Sequence, residues 1–171
     1  NYARTPDQVL QDFNAGMAGR VGAQSAGEAD PWGGAMPVGY WKMDENTGKL
    51  ANDASGNGNN GTLTGSTSWT QGKLGSCVNF AGDNTSYVLV PHSSTLTVTS
   101  AFTFEAWIYQ NTASGGIIFN KEVSYEWMGG STIQWAIANT TPGWAWINTG
   151  IAITNGVWEH YAMVYDGSSV K

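Results

Sequence analysis

Residues 38–65 read VGYWKMDENTGKLANDASGNGNNGTLTG, and they join a short aromatic stretch to a loop that is too polar and glycine-rich to lie in a core. Tyr40, Trp41 and Met43 predict a strand of about five residues, which a turn then ends. Residues 53–61 place three glycines among Asn, Asp and Ser, which tolerate left-handed backbone and bond to their own loop. A loop built in this way can turn several oxygen atoms toward one point.

The rest of the chain is a series of short β-branched or aromatic segments, bounded by Gly, Asn, Ser or Thr. They lie at 67–70, 77–80, 87–90, 101–109, 116–120, 124–128, 132–138, 144–148 and 158–166. Short segments at close spacing, with no helical period between them, indicate a β-sandwich or barrel. Within 101–109 an apolar set that begins at Phe102 alternates with a second set that begins at Thr103. We expect the second set to face a concave sheet.

Four groups of residues resemble, in the same order, the motifs of one family. They are WKMDENTG (41–48) with DASGNGNNGTL (53–63), CVNFAGD (77–83) with YVLVP (87–91), FTFEAWI (102–108) and WEHYAMVYDG (158–167). Together they resemble the LamG-like, concanavalin A-like jelly-roll modules of bacterial and archaeal surface proteins. The resemblance covers residues 38–171 and implies an all-β fold, an antiparallel β-sandwich of jelly-roll topology. It also implies an extracellular or cell-surface location.

The first residues carry a helix signal. Thr5 is a suitable N-cap, Pro6 suits the first helical position, and an apolar stripe runs from Val9 to Phe13. This pattern resembles the helix that follows the last strand of a LamG-like module. The resemblance therefore implies that residues 1–16 are the helical tail of a preceding repeat. The alternative is an ordinary N-terminal helix that packs on its own domain.

Composition divides the remaining chain into a linker and a module. Residues 17–37 are rich in Gly and Ala and have no period, as in a linker. The module spans 38–171, and its final turn leads toward a strand that does not follow, whereas the family continues with several more strands. We therefore expect a module truncated at its C terminus, cut from a larger repetitive protein. A neighbouring module or subunit would complete the sandwich, because open sheet edges are prone to aggregation.

Charge and composition exclude several partners. The chain has 13 acidic and 7 basic residues, a net charge of −6, and only 12% charged residues. Without a basic cluster, we expect no binding to nucleic acid through its phosphates. No apolar run has the length of a transmembrane helix, so we expect no membrane insertion. The single cysteine, Cys77, cannot form an internal disulfide and is typical of a small buried hydrophobe.

The sequence offers no catalytic constellation. Glycanases of concanavalin A-like fold need two carboxylates that face each other across the scissile bond. Glu105 is the only acid centred in a predicted strand, and Glu122 and Glu126 lie in a different segment without a matching acid. No nucleophile elbow, histidine-rich metal motif or phosphate loop is present. We therefore expect a protein that is not an enzyme.

The polar loop and its neighbours predict a calcium site. Carboxylate, amide and carbonyl oxygens are the ligands that Ca²⁺ prefers. Five side chains supply such atoms: Asp44, Asp53, Asn57, Asn59 and Asp83. We expect them to hold a structural calcium ion. The alternative is that they cap their own turns, which requires no ion.

The nine tryptophans are the other unusual feature of the composition. Four of them crowd into the second half of the chain: Trp127, Trp135, Trp144 and Trp146. Aromatic faces stack on the polarised C–H groups of sugar rings, so such a cluster suits glycan binding. The alternative is that these side chains fill the sandwich core or a contact between modules.

Two functions are consistent with these observations. The first is a non-catalytic extracellular binding or adhesion module, with a glycan or surface polysaccharide as its ligand. The second is a structural repeat of a cell-surface array or filament. Exposure of Trp144 and Trp146 on a concave face would favour the binding module, and their burial between subunits would favour the structural repeat.

Overall fold

A computed structural model describes residues 3–7, 9–10, 37–138 and 143–171 of the chain. The chain divides into two compact units, the N-terminal unit (4–96) and the C-terminal unit (97–171). Eleven strands lie in the described residues: β1 Leu50–Ala51, β2 Gly61–Thr64, β3 Ser68–Gln71, β4 Ser76–Asn79, β5 Tyr87–Leu89, β6 Phe102–Tyr109, β7 Gly116–Lys121, β8 Tyr125–Gly129, β9 Thr132–Ile137, β10 Ile147–Ala152 and β11 Trp158–Tyr165.

Helical structure is sparse in these ranges. A 3₁₀ turn covers Ser94–Leu96, and near the N terminus Val9 N donates a hydrogen bond of 3.0 Å to Thr5 O. The start of the predicted N-terminal helix is therefore present, while its later residues and almost all of the predicted linker lie outside the described ranges. In the part of the chain that the structure describes, no helix is both long enough and apolar enough to span a membrane.

The N-terminal unit contains a three-stranded antiparallel sheet in the order β1-β2-β5 and the separate hairpin β3-β4. Ala51 and Leu63 are buried, with exposed fractions of 0% and 2%. The predicted strand around Tyr40–Met43 was wrong, because this stretch forms only an isolated bridge between Trp41 and Asp53. Met43 has a φ of 58°, which an extended strand does not allow.

Two strands, β1 and β2, form where the sequence predicted a turn and a loop, and they pair with each other. The glycine-rich sequence before β2 gave no sign of a strand. Gly61 opens β2 because a Cβ atom there would lie only 2.5 Å from Val88 Cγ1. The close approach of two strands, rather than turn formation, thus explains this glycine.

The C-terminal unit has two layers. One is a four-stranded antiparallel sheet in the order β10-β9-β8-β7, and the other is the ribbon β6-β11. The ribbon pairs without interruption from Phe102–Tyr165 to Tyr109–Trp158. Phe104 of the ribbon contacts Phe119 and Tyr125 of the sheet, with ring centroids 5.2 Å and 4.6 Å apart. These aromatic contacts join the layers.

Each face of the four-stranded sheet is defined by cross-strand pairing, since directly paired residues point to the same side. The inner face, which meets the ribbon, carries Phe119, Tyr125, Trp127, Trp135 and Ile137. The outer face carries Asn120, Glu126, Met128, Gln134, Ala136 and Asn148.

The all-β, antiparallel fold predicted from the sequence is confirmed. Every segment predicted after residue 66 overlaps an observed strand, and 144–148 overlaps least because β10 begins at Ile147. The alternation predicted for 101–109 is also present, since Phe102 and Phe104 contact Tyr125. The second set of that segment therefore lies on the side of the ribbon that points away from the sheet.

Candidate functional site

The structure divides the four candidate tryptophans between the two faces of the sheet. Trp127 is only 1% exposed, and its ring stacks on Phe119 with centroids 5.8 Å apart and an interplanar angle of 6°. Trp135, its cross-strand partner, is half-buried on the same inner face. Burial removes Trp127 from the reach of any ligand, so the expectation that it contacts one does not fit its position.

Trp144 and Trp146 are different, with 40% and 42% of their surface exposed. They directly precede β10, and exposure alternates from Trp144 through Trp146 to Asn148, with Ala145 and Ile147 less exposed. Trp146 lies two residues before Asn148, so it points to the same side as Asn148 where the chain enters the strand. Trp146 therefore extends the outer face beyond the end of the strand, while Trp144 lies in the bend that precedes it.

Polar side chains continue the outer face inward from the tryptophans. Asn148 pairs with Gln134 across β10 and β9, and Gln134 pairs with Met128 of β8. On the same side, Asn120 Nδ2 donates a hydrogen bond to Glu126 Oε1. Burial, followed by the charge of Glu122, raises the pKa of Glu126. The face thus combines aromatic rings, amides and one buried carboxyl group.

A β-bulge fixes the edge of this face. The register of β10 against β9 shifts between Asn148 and Ala152, and Gly150 at the irregularity has a φ of 75°. Asn148 Oδ1 accepts a hydrogen bond of 2.8 Å from Gly150 N, and Thr149 Oγ1 donates one of 2.8 Å to Ile133 O. Bulges commonly aim side chains at binding sites, and this one holds Asn148 beside Gln134.

Asp53 organises the polar loop of the N-terminal unit. Its carboxylate accepts four hydrogen bonds of 2.8–2.9 Å, from Tyr40 N, Asn59 N and both the backbone N and the hydroxyl of Ser55. Burial alone would raise the pKa of Asp53, but the hydrogen bonds from Ser55, Tyr40 and Asn59 outweigh it and hold that pKa below its usual value. The loop therefore favours the ionised carboxylate.

Two more of the predicted calcium ligands belong to the same network. Asn59 is 4% exposed, and its Nδ2 donates to Val38 O and Thr95 Oγ1, while its carbonyl accepts from Trp41 Nε1 at 2.7 Å. Asn57 Nδ2 also donates to Val38 O, at 3.3 Å. The structure thus brings Asp53, Asn57 and Asn59 together in one hydrogen-bonded loop.

The other two predicted ligands lie elsewhere in the N-terminal unit. Asp44 lines a shallow polar cleft with Thr70 and Gln71, and Asp83 Oδ1 accepts hydrogen bonds of 2.8 Å from Thr85 N and Oγ1. Among the described residues, no group of three or more His, Cys, Asp or Glu side chains could hold a metal ion. Calcium binding stays a prediction, and its alternative, capping of the turns, is seen in the hydrogen bonds of Asp53 and Asp83.

The carboxyl groups of the C-terminal unit are separated by its layers. Glu105 lies 3.7 Å from His160 on the side of the ribbon that points away from the sheet. Glu126 lies on the outer face of the sheet, so the two acids point away from each other. Burial lowers the pKa of His160. These two acids do not flank a common space, as a glycanase requires.

Cys77, which the sequence predicted to be a small buried hydrophobe, is less buried than expected. It is partly buried on β4, its Sγ contacts Gln71 O at 3.6 Å, and burial raises the pKa of its thiol. A raised pKa keeps the thiol protonated and weakly nucleophilic, which fits a packing role.

The C-terminal unit thus consists of two antiparallel β layers, and the outer face of its four-stranded sheet is only partly exposed, since Ala136 and Glu126 on that face are buried. The chain belongs to the concanavalin A-like lectin/glucanases superfamily, whose family model matches residues 82–171, a little more than half of the chain. No curated protein and no solved structure is significantly similar to it.

The family match confirms the LamG-like resemblance seen in the sequence. The segments 102–108 and 158–167 lie inside the matched range, whereas the opening stretch 38–65 lies before it. The superfamily name joins lectins, which bind carbohydrate, with glucanases, which cleave it. Membership supports a lectin-like or binding module in general.

Sequence reasoning missed the polar half of the outer face. Gln134, Asn148 and Glu126 were not among the predicted ligand-binding residues, although each lies on a strand predicted from the sequence or at its end. The strand register would have found them, because period-two alternation places Asn148 on the side of Trp146 and opposite Ile147. The bulge in β10 has no comparable signal in the sequence.

Proposed function

We propose that the chain is a non-catalytic, carbohydrate-binding module of an extracellular surface or adhesion protein, and that the outer face of the β7–β10 sheet is its binding site. The observation that carries this proposal is the partial exposure of Trp144 and Trp146 in the segment that leads into β10. With 40% and 42% of their surface exposed, both indoles keep part of each ring open to a ligand. The flat faces of the indole rings can stack on the C–H groups of sugar rings.

The neighbouring polar groups would complete recognition. In the described part of the chain, neither indole N–H of Trp144 and Trp146 has a hydrogen-bond partner, and the Nδ2 group of Asn148 has none. Sugar hydroxyls both donate and accept hydrogen bonds, so these groups and the Gln134 amide suit a neutral saccharide. A few placed polar groups beside an aromatic platform are the usual composition of a ligand site.

Absence of catalysis is part of the proposal. It is supported by the outward, opposite directions of Glu105 and Glu126 on the two layers. The surface location is supported by the LamG-like resemblance and by the low charge of the sequence, with only 12% charged residues. A structural calcium ion at the Asp53 loop would stiffen the N-terminal unit.

The test is retention of the 171-residue chain on a glycan array, compared with two variants. Trp146→Ala removes an exposed indole of the site and should lower retention by about tenfold or more, which corresponds to roughly 1.4 kcal/mol. Phe80→Ala is the matched control, because Phe80 is 47% exposed but directly follows β4 in the N-terminal unit. Equal retention of the wild type and Trp146→Ala, or no retention of the wild type on any glycan, would contradict the proposal.

One observation favours the structural repeat as a second candidate. Leu50, Thr62 and Leu89 pair across the β1-β2-β5 sheet and share one face, together with Tyr87. Leu50, Tyr87 and Leu89 are 47%, 45% and 54% exposed. A row of exposed apolar side chains of this kind is typical of a protein–protein contact, such as one with a neighbouring module or subunit.

Trp146→Ala and a variant of the apolar face, Leu89→Ser, separate the two candidate functions. If this apolar face is a contact between copies, light scattering should show a defined oligomer that Leu89→Ser converts to a monomer. Trp146→Ala should leave the mass unchanged. A monomeric wild type at high concentration would remove the case for self-association.

A further inference from the structure

A cleft adjoins the outer face of the β7–β10 sheet. It has a volume of about 410 Å³, and it lies beside the turns that connect β6 to β7 and β8 to β9. Its lining combines four glycines with Ser114, Ile117, Met128, Ser131 and Gln134, among other residues. Volumes of roughly 300–1,000 Å³ are usual for small-molecule sites, so the cleft has room for one sugar residue or a large substituent.

The apolar wall of the cleft is aimed outward by a bulge. The register of β7 against β8 shifts between Ile117 and Phe119, so Ile117 pairs with Met128 while Phe119 pairs with Trp127. Ile117 is thereby placed on the outer face, where it is 49% exposed. Without the shift, period-two alternation would put Ile117 and Phe119 on the same side. The bulge therefore exposes an apolar side chain beside Met128.

Glycine backbone forms another wall. Gly115 has a φ of 78°, and a Cβ atom there would lie 2.8 Å from Gly129 O. Any other residue at this position would be strained and would clash with the facing backbone. The glycines thus let two turns approach each other, and they leave peptide groups at the surface of the cleft.

Gln134 joins the cleft to the tryptophans. It lines the cleft and pairs with Asn148, and Trp146 lies two residues before Asn148, a distance of about 7 Å along an extended chain. Gln134 is half-buried, and among the described residues its side-chain amide has no hydrogen-bond partner. A half-buried amide that faces a cleft without a partner is a site for a ligand carbonyl or N–H group.

The chemistry of the cleft restricts the group that fits. None of the described residues that line it carries a charged side chain, so a carboxylate, sulfate or amine would be desolvated without compensation. Ile117 and Met128 suit a methyl group, and Gln134 suits an amide. An acetamido group carries both, with no charge.

We propose that the cleft binds the acetamido group of an N-acetylated hexosamine, in a glycan whose neighbouring ring stacks on Trp146. This assignment rests on the proposed carbohydrate-binding function and names its ligand class. The acetamido methyl packs against Ile117 and Met128, and its carbonyl accepts a hydrogen bond from the Gln134 amide. Two features select this ligand class: the uncharged cleft with its apolar wall and the Gln134 amide, and Trp146 beside the end of β10.

The experiment compares pairs of sugars that differ only by acetamido against hydroxyl. Calorimetric titration of the 171-residue chain with chitotriose and with cellotriose forms one pair, and N-acetylgalactosamine with galactose forms the other. At least one acetylated sugar should bind about tenfold or more tightly than its partner. Gln134→Ala and Ile117→Ser should each remove that preference while keeping the melting temperature. Gln71→Ala, which removes the same amide from β3 of the N-terminal unit, should keep it.

The outcomes separate this proposal from the one on which it rests. Equal binding of acetylated and hydroxyl sugars, with loss of both in Trp146→Ala, would overturn the acetamido assignment and leave carbohydrate binding intact. A preference that survives in Gln134→Ala and Ile117→Ser would also overturn it. If the wild type binds no sugar of any kind, both proposals fail.

Discussion

The inner and outer faces of the β7–β10 sheet use tryptophan in opposite ways. On the inner face Trp127 is 1% exposed and stacks on Phe119. On the outer side Trp146 is 42% exposed and directly precedes β10. The two residues lie fewer than twenty positions apart, one within the sheet and one beside the end of its β10 strand. The difference shows that residue type alone does not identify a site, whereas strand register does.

The largest expected effect tests the inner face. Trp127→Ala should lower the free energy of unfolding by about 3–5 kcal/mol, because it removes a large buried side chain and leaves a cavity. Urea denaturation followed by circular dichroism measures this loss. A loss below about 1 kcal/mol would mean that Trp127 is not part of a packed core.

The next effect concerns the Asp53 loop, whose polar groups, unlike those of the outer face, form hydrogen bonds within the loop itself. Asp53→Ala should lower the free energy of unfolding by about 1–3 kcal/mol, since it removes a carboxylate that accepts four hydrogen bonds. Thermal melts in chelator measure this contribution. No loss in chelator would show that the loop does not depend on these bonds.

The same variant tests for calcium when the melts are repeated with the ion. If Ca²⁺ binds at Asp53, calcium should stabilise the wild type more than Asp53→Ala, because the ion stabilises the folded state by mass action. If the melting temperatures of the two proteins differ by the same amount with and without calcium, no calcium ion binds at Asp53. Asp166→Ala is a control, because Asp166 is also bonded within its own turn but lies in the C-terminal unit.

A smaller effect concerns the pH dependence of the outer face. Since the folded pKa of Glu126 lies above its usual value of 4.5, its contribution to stability is present below that pH and is lost as the pH rises through the folded value. Glu126→Gln keeps an acceptor for Asn120 but cannot ionise. The free energy of unfolding should therefore fall less steeply above pH 4.5 in the variant. Parallel pH profiles of the two proteins would contradict the burial of this charge.

The smallest expected effect on stability is that of the exposed indoles. Trp144→Ala and Trp146→Ala should each lower the free energy of unfolding by about 1 kcal/mol, because 40% and 42% of their surface is exposed and only the covered part contributes to packing. The contrast with Trp127→Ala is the point of the measurement. A loss of roughly 3 kcal/mol in Trp146→Ala would make this residue part of a core and end its role as a site.

Strand positions were largely predictable from the sequence, for a physical reason. Segments such as 102–109 and 158–165 are rich in aromatic and other apolar residues, and glycine or asparagine lies within two residues of at least one of their ends. Such signals depend only on the residues of the segment itself, so they can be recognised without knowing its partners in the fold. The strand predicted at Tyr40–Met43 failed because the side chain of Asp53, distant in sequence, binds Tyr40 N and replaces a strand partner.

The candidate site was only partly predictable. Exposure of Trp144 and Trp146 on a concave face was one of two alternatives that the sequence left open. The structure leaves 40% and 42% of their surface exposed, and their role in binding stays a prediction. The burial of Trp127 and the outward direction of Ile117 depend on the register across β7, β8 and β9, including a bulge. Pairing of this kind involves residues far apart in sequence, so composition and spacing do not reveal it.

The most direct test of the central claim is an NMR titration of the tryptophan indole N–H signals with a glycan that the array identifies. Single Trp→Phe variants assign the signals of Trp127, Trp144 and Trp146. The outer-face account predicts that the chemical shifts of the Trp144 and Trp146 indole N–H signals change with added glycan. The chemical shift of the buried Trp127 signal should change no more than those of the other tryptophans. Glycan binding that leaves the Trp144 and Trp146 signals unmoved would contradict it.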